Sequence, residues 1–246
     1  MRSVHQSTKL FSAMLIIITT IAFSFPLVSC SQSNKEVSID GKKFTVLTME
    51  SGKPETAALE TITFNNGMFD NEGCHIYGFG NGKYMATKNG DNYSFEATTT
   101  SPKEGTMKWK GMVMGDVLHG EMVWHKDGQA DIHYTFNSAD IKMSSLDGKT
   151  YTTQMKSGDS MIVEEVTFKN GVFDSPGCML WGFAPAPYQA WEMNGKIMWQ
   201  SLYTSSNEGM MLFTGSATGN EITINNYWVK EGQNSAYETS MGTLKQ

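Results

Sequence analysis

Apolar and polar residues alternate along most of the chain after residue 37, and this period of two predicts half-buried β-strands. In one such segment, Tyr93, Phe95 and Ala97 alternate with Ser94 and Glu96. Turn signals separate the segments, and in the first half of the chain they are Asn66-Gly67, Asn89-Gly90, Gly115-Asp116 and Asp127-Gly128. No segment after residue 37 keeps an apolar period of 3.6 residues over three helical turns. The pattern therefore predicts an all-β protein.

The chain contains two copies of one sequence unit. Thr63–Phe79 reads TFNNGMFDNEGCHIYGF, and Thr167–Phe183 reads TFKNGVFDSPGCMLWGF, at an offset of 104 residues. The offset is 107 residues between Ser38–Lys42 and Ser145–Lys149, so a loop near residue 55 is three residues longer in the first copy. A fixed period of this kind indicates tandem copies of one structural unit. We assign β repeat one to residues 38–143 and β repeat two to residues 144–246.

Each repeat has room for about eight short strands joined by tight turns, which favours an up-and-down antiparallel β-barrel. Closing the sheet removes its exposed edges. The segment Trp109–Gly120, WKGMVMGDVLHG, resembles the late hairpins of lipocalin-like and avidin-like (calycin) barrels. This resemblance implies an interior that side chains fill, or one that holds a single small ligand. The first strand lacks the G-x-W of lipocalins, and two β-sandwich domains are the alternative fold.

Residues 1–30 have a different character from the rest. Arg2 and Lys9 precede the uncharged apolar run Leu10–Phe25, which is short for a membrane-spanning helix and typical of a secretory signal. The run is followed by Leu27-Val28-Ser29-Cys30, which resembles the bacterial lipobox. The resemblance implies a signal peptide over 1–29, lipidation of Cys30, a tether over 30–37 and attachment to a membrane. Because Ser31 follows the cysteine, we expect an exported lipoprotein of the outer membrane.

The charge of the chain argues against nucleic-acid binding. Removal of residues 1–29, which hold two basic and no acidic residues, changes the formal net charge from −6 to −8. The sequence has no cluster of Lys and Arg, which binding to phosphates requires. An acidic body suits a protein exported into the cell envelope.

Two cysteines remain beside Cys30, and they occupy equivalent positions in the repeats. Cys74 and Cys178 are expected either to form a disulfide, which an exported compartment permits, or to be two separate buried thiols. A reactive thiol is a minor alternative. We expect Cys74 to lie on a strand with the side chain of His75 on the opposite face, and His75 has Met179 as its counterpart. Their shared segment, F-x-N-G-x-F-D-x-x-G-C-x-x-x-G-F, resembles a pattern of small exported bacterial proteins, and this resemblance supplies no catalytic residue.

Other chemistry-bearing patterns are absent from the sequence. It has no G-x-S-x-G, H-E-x-x-H or P-loop motif, and its histidines and methionines form no cluster with metal-ligand spacing. We therefore expect no enzyme activity, no cofactor and no metal site.

Large aromatic residues are the best candidates for ligand binding. Those singled out are Tyr77, Tyr84, Trp109, Trp124, Trp181, Tyr188 and Trp228. They either line the mouth of a barrel, where an apolar or planar ligand fits, or simply fill its interior. The leading hypothesis is a lipid-anchored, non-enzymatic envelope protein that binds a small apolar ligand or an envelope protein. The alternatives are an assembly lipoprotein acting through protein–protein contacts and, less favoured, a thiol-dependent redox protein.

Overall fold

Two closed antiparallel β-barrels of eight strands each make up the fold. The computed structural model describes residues 37–157 and 160–245, and the expected signal peptide and Cys30 lie outside these ranges. The predicted all-β fold with two tandem up-and-down barrels is confirmed. The β-sandwich alternative is wrong, because the first and last strands of each sheet are hydrogen-bonded to each other.

Strands follow the chain around each barrel, and every strand pairs with the next one. Barrel one consists of β1 (Lys43–Glu50), β2 (Ala58–Asn65), β3 (Met68–Asn71), β4 (Gly82–Asn89), β5 (Asn92–Ser101), β6 (Gly105–Met114), β7 (Val117–His125) and β8 (Ile132–Asn137). Barrel two consists of β9 (Lys149–Ser157), β10 (Ser160–Lys169), β11 (Val172–Asp174), β12 (Ala186–Met193), β13 (Lys196–Ser205), β14 (Gly209–Thr218), β15 (Glu221–Val229) and β16 (Ala236–Leu244).

In the part of the chain that the structure describes, helical structure is confined to short connections. Barrel one has 3₁₀ turns at Pro54–Thr56 and Glu72–Tyr77, and barrel two has one α-helical turn at Pro176–Met179. The turn at Pro54–Thr56 lies in the loop that is longer in repeat one. Within residues 37–157 and 160–245, no helix combines the length and the apolar character needed to cross a bilayer.

Asn-Gly turns set the register of the second hairpin of each barrel. Asn66 and Gly67 between β2 and β3 have φ values of 53° and 73°, and Asn170 and Gly171 between β10 and β11 have 54° and 74°. Positive φ at both central residues matches the right-handed twist of the flanking strands, and Asn and Gly adopt it at the least steric cost. The two repeats therefore have the same local geometry at this hairpin.

Aromatic rings fill the centre of each barrel. In barrel one, the centroids of Phe64 and Phe95 lie 4.9 Å apart, as do those of Phe69 and Trp109. Barrel two exchanges the sizes of two of these rings, with Trp199 in the place of Phe95 and Phe213 in the place of Trp109. The exchange conserves the total ring volume, as close packing demands. The centres of both barrels are thus packed with side chains.

A glycine beside the exchanged ring makes this packing possible. A Cβ atom at Gly111 would lie 2.6 Å from Cε1 of Phe95, and one at Gly215 would lie 2.8 Å from Nε1 of Trp199. Both distances are far below van der Waals contact, so any side chain at either position would displace the ring. The repeated glycine is therefore part of the core.

A single glutamine of barrel two hydrogen-bonds the backbone of barrel one. The Gln200 carboxamide accepts a bond from the Leu59 N–H at 3.1 Å and donates one to the Leu59 carbonyl. These Leu59 groups are free because β3 is short and pairs with β2 only from residue 62 to residue 65. The side chain thus replaces a neighbouring strand at this edge. The equivalent residue of barrel one is Glu96, whose carboxylate could not donate the second bond.

Replacing this side chain tests its contribution to the contact between the barrels. Gln200→Ala leaves the N–H and carbonyl of the buried Leu59 unpaired, so the free energy of unfolding should fall by about 1–3 kcal/mol. Urea unfolding followed by circular dichroism measures the change. Gln154→Ala, at an exposed position of β9, is the matched control and should change stability by less than about 0.5 kcal/mol. Equal effects of the two substitutions would contradict the assignment.

Candidate ligand-binding site at the mouth of barrel one

A cavity of about 410 Å³ opens at the end of barrel one where β2 begins and β7 ends. Its apolar lining includes Tyr77, Phe79, Met107, Met122, Trp124 and Tyr134. Tyr227, from β15 of barrel two, completes the wall. The cavity lies above the packed rings of the core, so it is a mouth and not a channel.

A larger hollow elsewhere is less suited to bind a ligand. It measures about 680 Å³ and lies on the outer face of barrel one, over Gly111 and Gly120. Much of its lining is exposed charged and polar side chains, such as Glu96, Lys110 and Glu121. A shallow polar surface of this kind buries little of a small ligand, so the mouth is the better candidate.

The central polar group of the mouth is the carboxyl of Glu60. Glu60 lies on the same face of β2 as the inward-facing residues Ile62 and Phe64. Its Oε2 accepts hydrogen bonds from Thr48 Oγ1 at 2.8 Å and from Asn71 Nδ2 at 2.7 Å. Burial raises the pKa of Glu60, although these two hydrogen bonds oppose the rise. Among the residues that the structure describes, the lining of the cavity includes no basic side chain.

The buried Asn71 fixes the position of this carboxyl. Asn71 precedes the 3₁₀ turn Glu72–Tyr77, and its Oδ1 accepts a bond from the Gly73 N–H at 2.9 Å while its Nδ2 donates to Glu60. Gly73 is required because a Cβ atom there would lie 2.9 Å from Cγ of Glu60. The glycine of the shared sequence motif is therefore explained by the close approach of Glu60.

Cys74 lies deeper in the same wall. Its Sγ donates to Sδ of Met107 at 3.7 Å, and Cys178 makes the same contact with Met211 at 3.7 Å in barrel two. Both cysteines are free thiols in the structure, Cys74 buried and Cys178 half-buried. Burial, and then the charge of Glu60, raises the pKa of Cys74 well above its usual 9.0, and burial also raises the pKa of Cys178.

One expectation about Cys74 is wrong. We expected it to lie on a strand with His75 on the opposite face, whereas both residues lie on the 3₁₀ turn, where Nε2 of His75 bonds Oδ1 of Asp70 at 2.7 Å. In the described ranges, no group of three or more His, Cys, Asp and Glu side chains has an arrangement that could hold a metal ion.

Two of the predicted aromatic residues line the cavity. Tyr77 is 38% exposed and its ring centroid lies 5.4 Å from that of Tyr227. Trp124 donates its indole N–H to the carbonyl of Glu104, whose carboxylate forms an ion pair with Lys126 at 2.8 Å. Barrel two repeats this arrangement with Trp228, Glu208 and Lys230. These bonds fix the indole of each tryptophan at the rim of its barrel.

Three other predicted aromatic residues lie away from the mouth. Trp109 is 1% exposed within the core, and its indole N–H donates to Oγ1 of Thr99 at 3.1 Å. At the opposite end of barrel one, the Tyr84 hydroxyl accepts from the Ile39 N–H at 3.1 Å and donates to the Asp40 carboxylate at 2.8 Å. The Tyr188 hydroxyl likewise bonds Leu146 and Asp147, both at 2.9 Å. Both tyrosines thus secure the segment that enters their barrel.

The mouth of barrel two has diverged from that of barrel one. Its remaining predicted aromatic residue, Trp181, corresponds to Tyr77 and is 70% exposed. Asn226 and Glu238 occupy the positions that Met122 and Tyr134 have in barrel one. Nδ2 of Asn226 donates a hydrogen bond to Oε2 of Glu238 at 3.4 Å. The second mouth is consequently more polar, and its tryptophan projects toward solvent.

Sequence reasoning missed the most informative residues of the mouth, which are Glu60, Asn71, Tyr134 and Tyr227. A signal for Glu60 was present, because the alternation of β2 puts this carboxylate on the same face as Ile62 and Phe64. Glu164 holds the same place in repeat two. No comparable signal existed for Tyr227, because its neighbours in the cavity belong to the other barrel.

Fold and cavity together define a class of protein: tandem closed eight-stranded barrels with filled centres and a partly apolar cavity at one mouth. No family model matches the chain, and no curated protein matches it. The function must therefore be argued from the residues of the mouth.

The raised pKa of Glu60 gives a prediction about stability and pH. Because the folded protein holds the Glu60 proton to higher pH than the unfolded chain, unfolding releases a proton above the usual pKa of 4.5, and stability falls as pH rises through the folded value. Glu60→Gln removes this titration but keeps an acceptor for Thr48 and Asn71. Its free energy of unfolding, relative to the natural protein, should therefore increase as pH rises from 4 to 8.

Urea unfolding at several pH values measures the difference between the two proteins. Glu121→Gln, on the exposed side of β7, gives the baseline for losing one negative charge. The opposite result would be a free energy of unfolding of the natural protein that rises relative to that of Glu60→Gln as the pH rises. It would show that the fold stabilises the carboxylate and that the prediction is wrong.

Proposed function

We propose that this protein is a lipid-anchored, non-enzymatic binding protein of the cell envelope that holds a small, largely apolar molecule in the mouth of barrel one. The observation that carries the proposal is the cavity of about 410 Å³ lined by Tyr77, Trp124, Tyr134 and Tyr227. A concave site of this size, mainly apolar with a few placed polar groups, is typical of small-molecule binding. The packed centres of both barrels limit such binding to a mouth.

The raised pKa values of the thiols favour binding over thiol chemistry. A nucleophilic cysteine needs a thiolate near neutral pH, and burial of Cys74 and Cys178 disfavours that form. This weakens the alternative of a thiol-dependent redox protein. Their contacts with Met107 and Met211 are those of small apolar core residues.

A role in envelope assembly is the second candidate, because barrel two exposes large apolar side chains. Leu180 is 89% exposed and Trp181 beside it is 70% exposed. Neighbouring exposed apolar residues of this size are a feature of protein-contact surfaces. Envelope assembly becomes the favoured function if the mouth of barrel one binds no small molecule.

The anchor rests on the lipobox resemblance, so its test is the cysteine itself. Several acyl chains, at about 0.8 kcal/mol for each buried CH₂, hold a lipoprotein in a membrane. Cys30→Ala should therefore release the protein from the membrane fraction and abolish the diacylglycerol mass on the mature N-terminus. Cys74→Ala is the matched control and should remain in the membrane fraction. Retention of Cys30→Ala in the membrane would refute the anchor.

Binding is tested with the neutral probe N-phenyl-1-naphthylamine, whose fluorescence rises in apolar surroundings. A chain lacking residues 1–30 keeps every strand of both barrels and is suitable for titration without detergent. We expect saturable enhancement with the natural sequence and at least a tenfold weaker response with Ala58→Trp, which fills the mouth. Ile162→Trp places the same bulk at the equivalent position of barrel two and should leave the response unchanged. Absence of enhancement, or equal enhancement in Ala58→Trp, would count against the proposed cavity.

A further inference from the structure

The mouth of barrel one holds one carboxylate whose charge no neighbouring cation balances. Of the three glutamates in its lining, Glu50 forms an ion pair with Lys53, and Glu104 forms one with Lys126. Glu60 has only neutral donors, the hydroxyl of Thr48 and the carboxamide of Asn71. Both of them bond Oε2, and no hydrogen bond to Oε1 occurs among the described residues. One carboxylate oxygen on the cavity wall is therefore free to accept a bond.

The rings around this carboxylate suit a positive charge. Tyr77, Trp124, Tyr134 and Tyr227 line the same cavity, and the negative faces of such rings attract ammonium groups. Burial is the main cause that raises the pKa values of Tyr77 and Tyr134. The charge of Glu60 adds to the rise for Tyr77, and the charges of Glu50 and then Glu60 add to it for Tyr134. Glu60 is thus electrostatically coupled to two rings of the wall.

The unpaired charge of Glu60 also discriminates between classes of ligand. An anion would be buried beside this charge, which Coulomb repulsion opposes. A neutral ligand would strip water from Glu60 and leave its charge unpaired, which is costly in a buried site. A cation removes this cost because it replaces the lost water with an ion pair.

We propose that the mouth of barrel one selects a small organic cation, a primary amine or ammonium group on an apolar body, with Glu60 as its counter-ion. The aromatic and methionine side chains of the wall hold the apolar body. Asn71 positions the carboxylate, and Tyr227 makes the site dependent on the second barrel. This inference rests on the proposed binding function and specifies its ligand.

Barrel two lacks this combination although it retains the glutamate. The Ser175 hydroxyl lies 3.1 Å from both carboxylate oxygens of Glu164 and shares its proton between them, and Oε2 also accepts from the Gly177 N–H at 3.0 Å, so both oxygens have a partner. Glu238 stands where barrel one has the ring of Tyr134. The difference assigns the cation site to barrel one alone and makes Glu164 the natural control.

Three probes of one shape and different charge test the inference. They are 4-phenylbutylamine, 4-phenyl-1-butanol and 4-phenylbutanoate, titrated by calorimetry at pH 7.5 into the chain that lacks residues 1–30. We expect the amine to bind at least tenfold more tightly than the alcohol, and the carboxylate to bind more weakly than either. Glu60→Gln should bring the affinities for amine and alcohol within threefold of each other. Glu164→Gln should keep the preference of the natural protein.

Each other outcome overturns a separate statement. Equal binding of amine and alcohol by the natural protein would refute selection of a cation and leave the proposed binding function intact. A preference that survives in Glu60→Gln would refute Glu60 as the counter-ion. Failure of all three probes together with N-phenyl-1-naphthylamine would refute the binding function itself.

A second variant keeps the test decisive if Glu60→Gln does not fold. Tyr134→Leu removes one ring and retains the carboxylate. It should weaken the binding of the amine severalfold and change the affinity for the alcohol by less than twofold. Equal losses for amine and alcohol would contradict a role of the ring in recognising the charge.

Discussion

Close packing of aromatic rings inside each closed sheet is the constraint on which the rest of this structure depends. Phe69 and Trp109 in barrel one, and Phe173 and Trp199 in barrel two, bring their ring centroids within 5 Å of each other. Such density excludes a ligand from the centre and forces any binding to the ends of the barrels. Tyr84 secures the entering segment of the chain at one end of barrel one, and the opposite mouth holds the cavity that aromatic rings line.

The mouth combines a stable wall with a group that opposes stability. Holding Glu60 in a partly apolar cavity raises its pKa, which means that the fold tolerates the charge at a cost. Hydrogen bonds from Asn71 and Thr48 offset part of that cost. The absence of a side chain at Gly73 leaves space for Glu60. Local arrangements that reduce stability concentrate at binding sites, since they are retained for function. Glu60 therefore supports a binding role for the mouth in addition to the rings that line it.

Duplication has left two barrels with one design and different mouths. Both barrels have a tryptophan at the rim whose indole N–H bonds the carbonyl of a glutamate. In both, the carboxylate of that glutamate forms an ion pair with a lysine. The glutamate on the second strand is also retained, but its partners have changed from Thr48 and Asn71 to Ser175 and Gly177. Gln200 bonds the edge of β2 next to the mouth of barrel one, so barrel two contributes to that mouth through both Gln200 and Tyr227.

The alternation of residues and the offset of 104 determined the all-β class, the two repeats and the barrel topology, because strand faces and turn types follow from local sequence. They did not separate the aromatic residues that fill the core from those that line the mouth. Trp109 and Trp124 occupy the same face of successive strands, and only the level of each along its barrel decides that one is buried and the other lies at the rim. Sequence alone also put Cys74 on a strand, because a 3₁₀ turn of six residues has no periodicity long enough to detect. The free oxygen of Glu60 and the approach of Tyr227 were decided only by the tertiary structure, since both depend on residues that are distant along the chain.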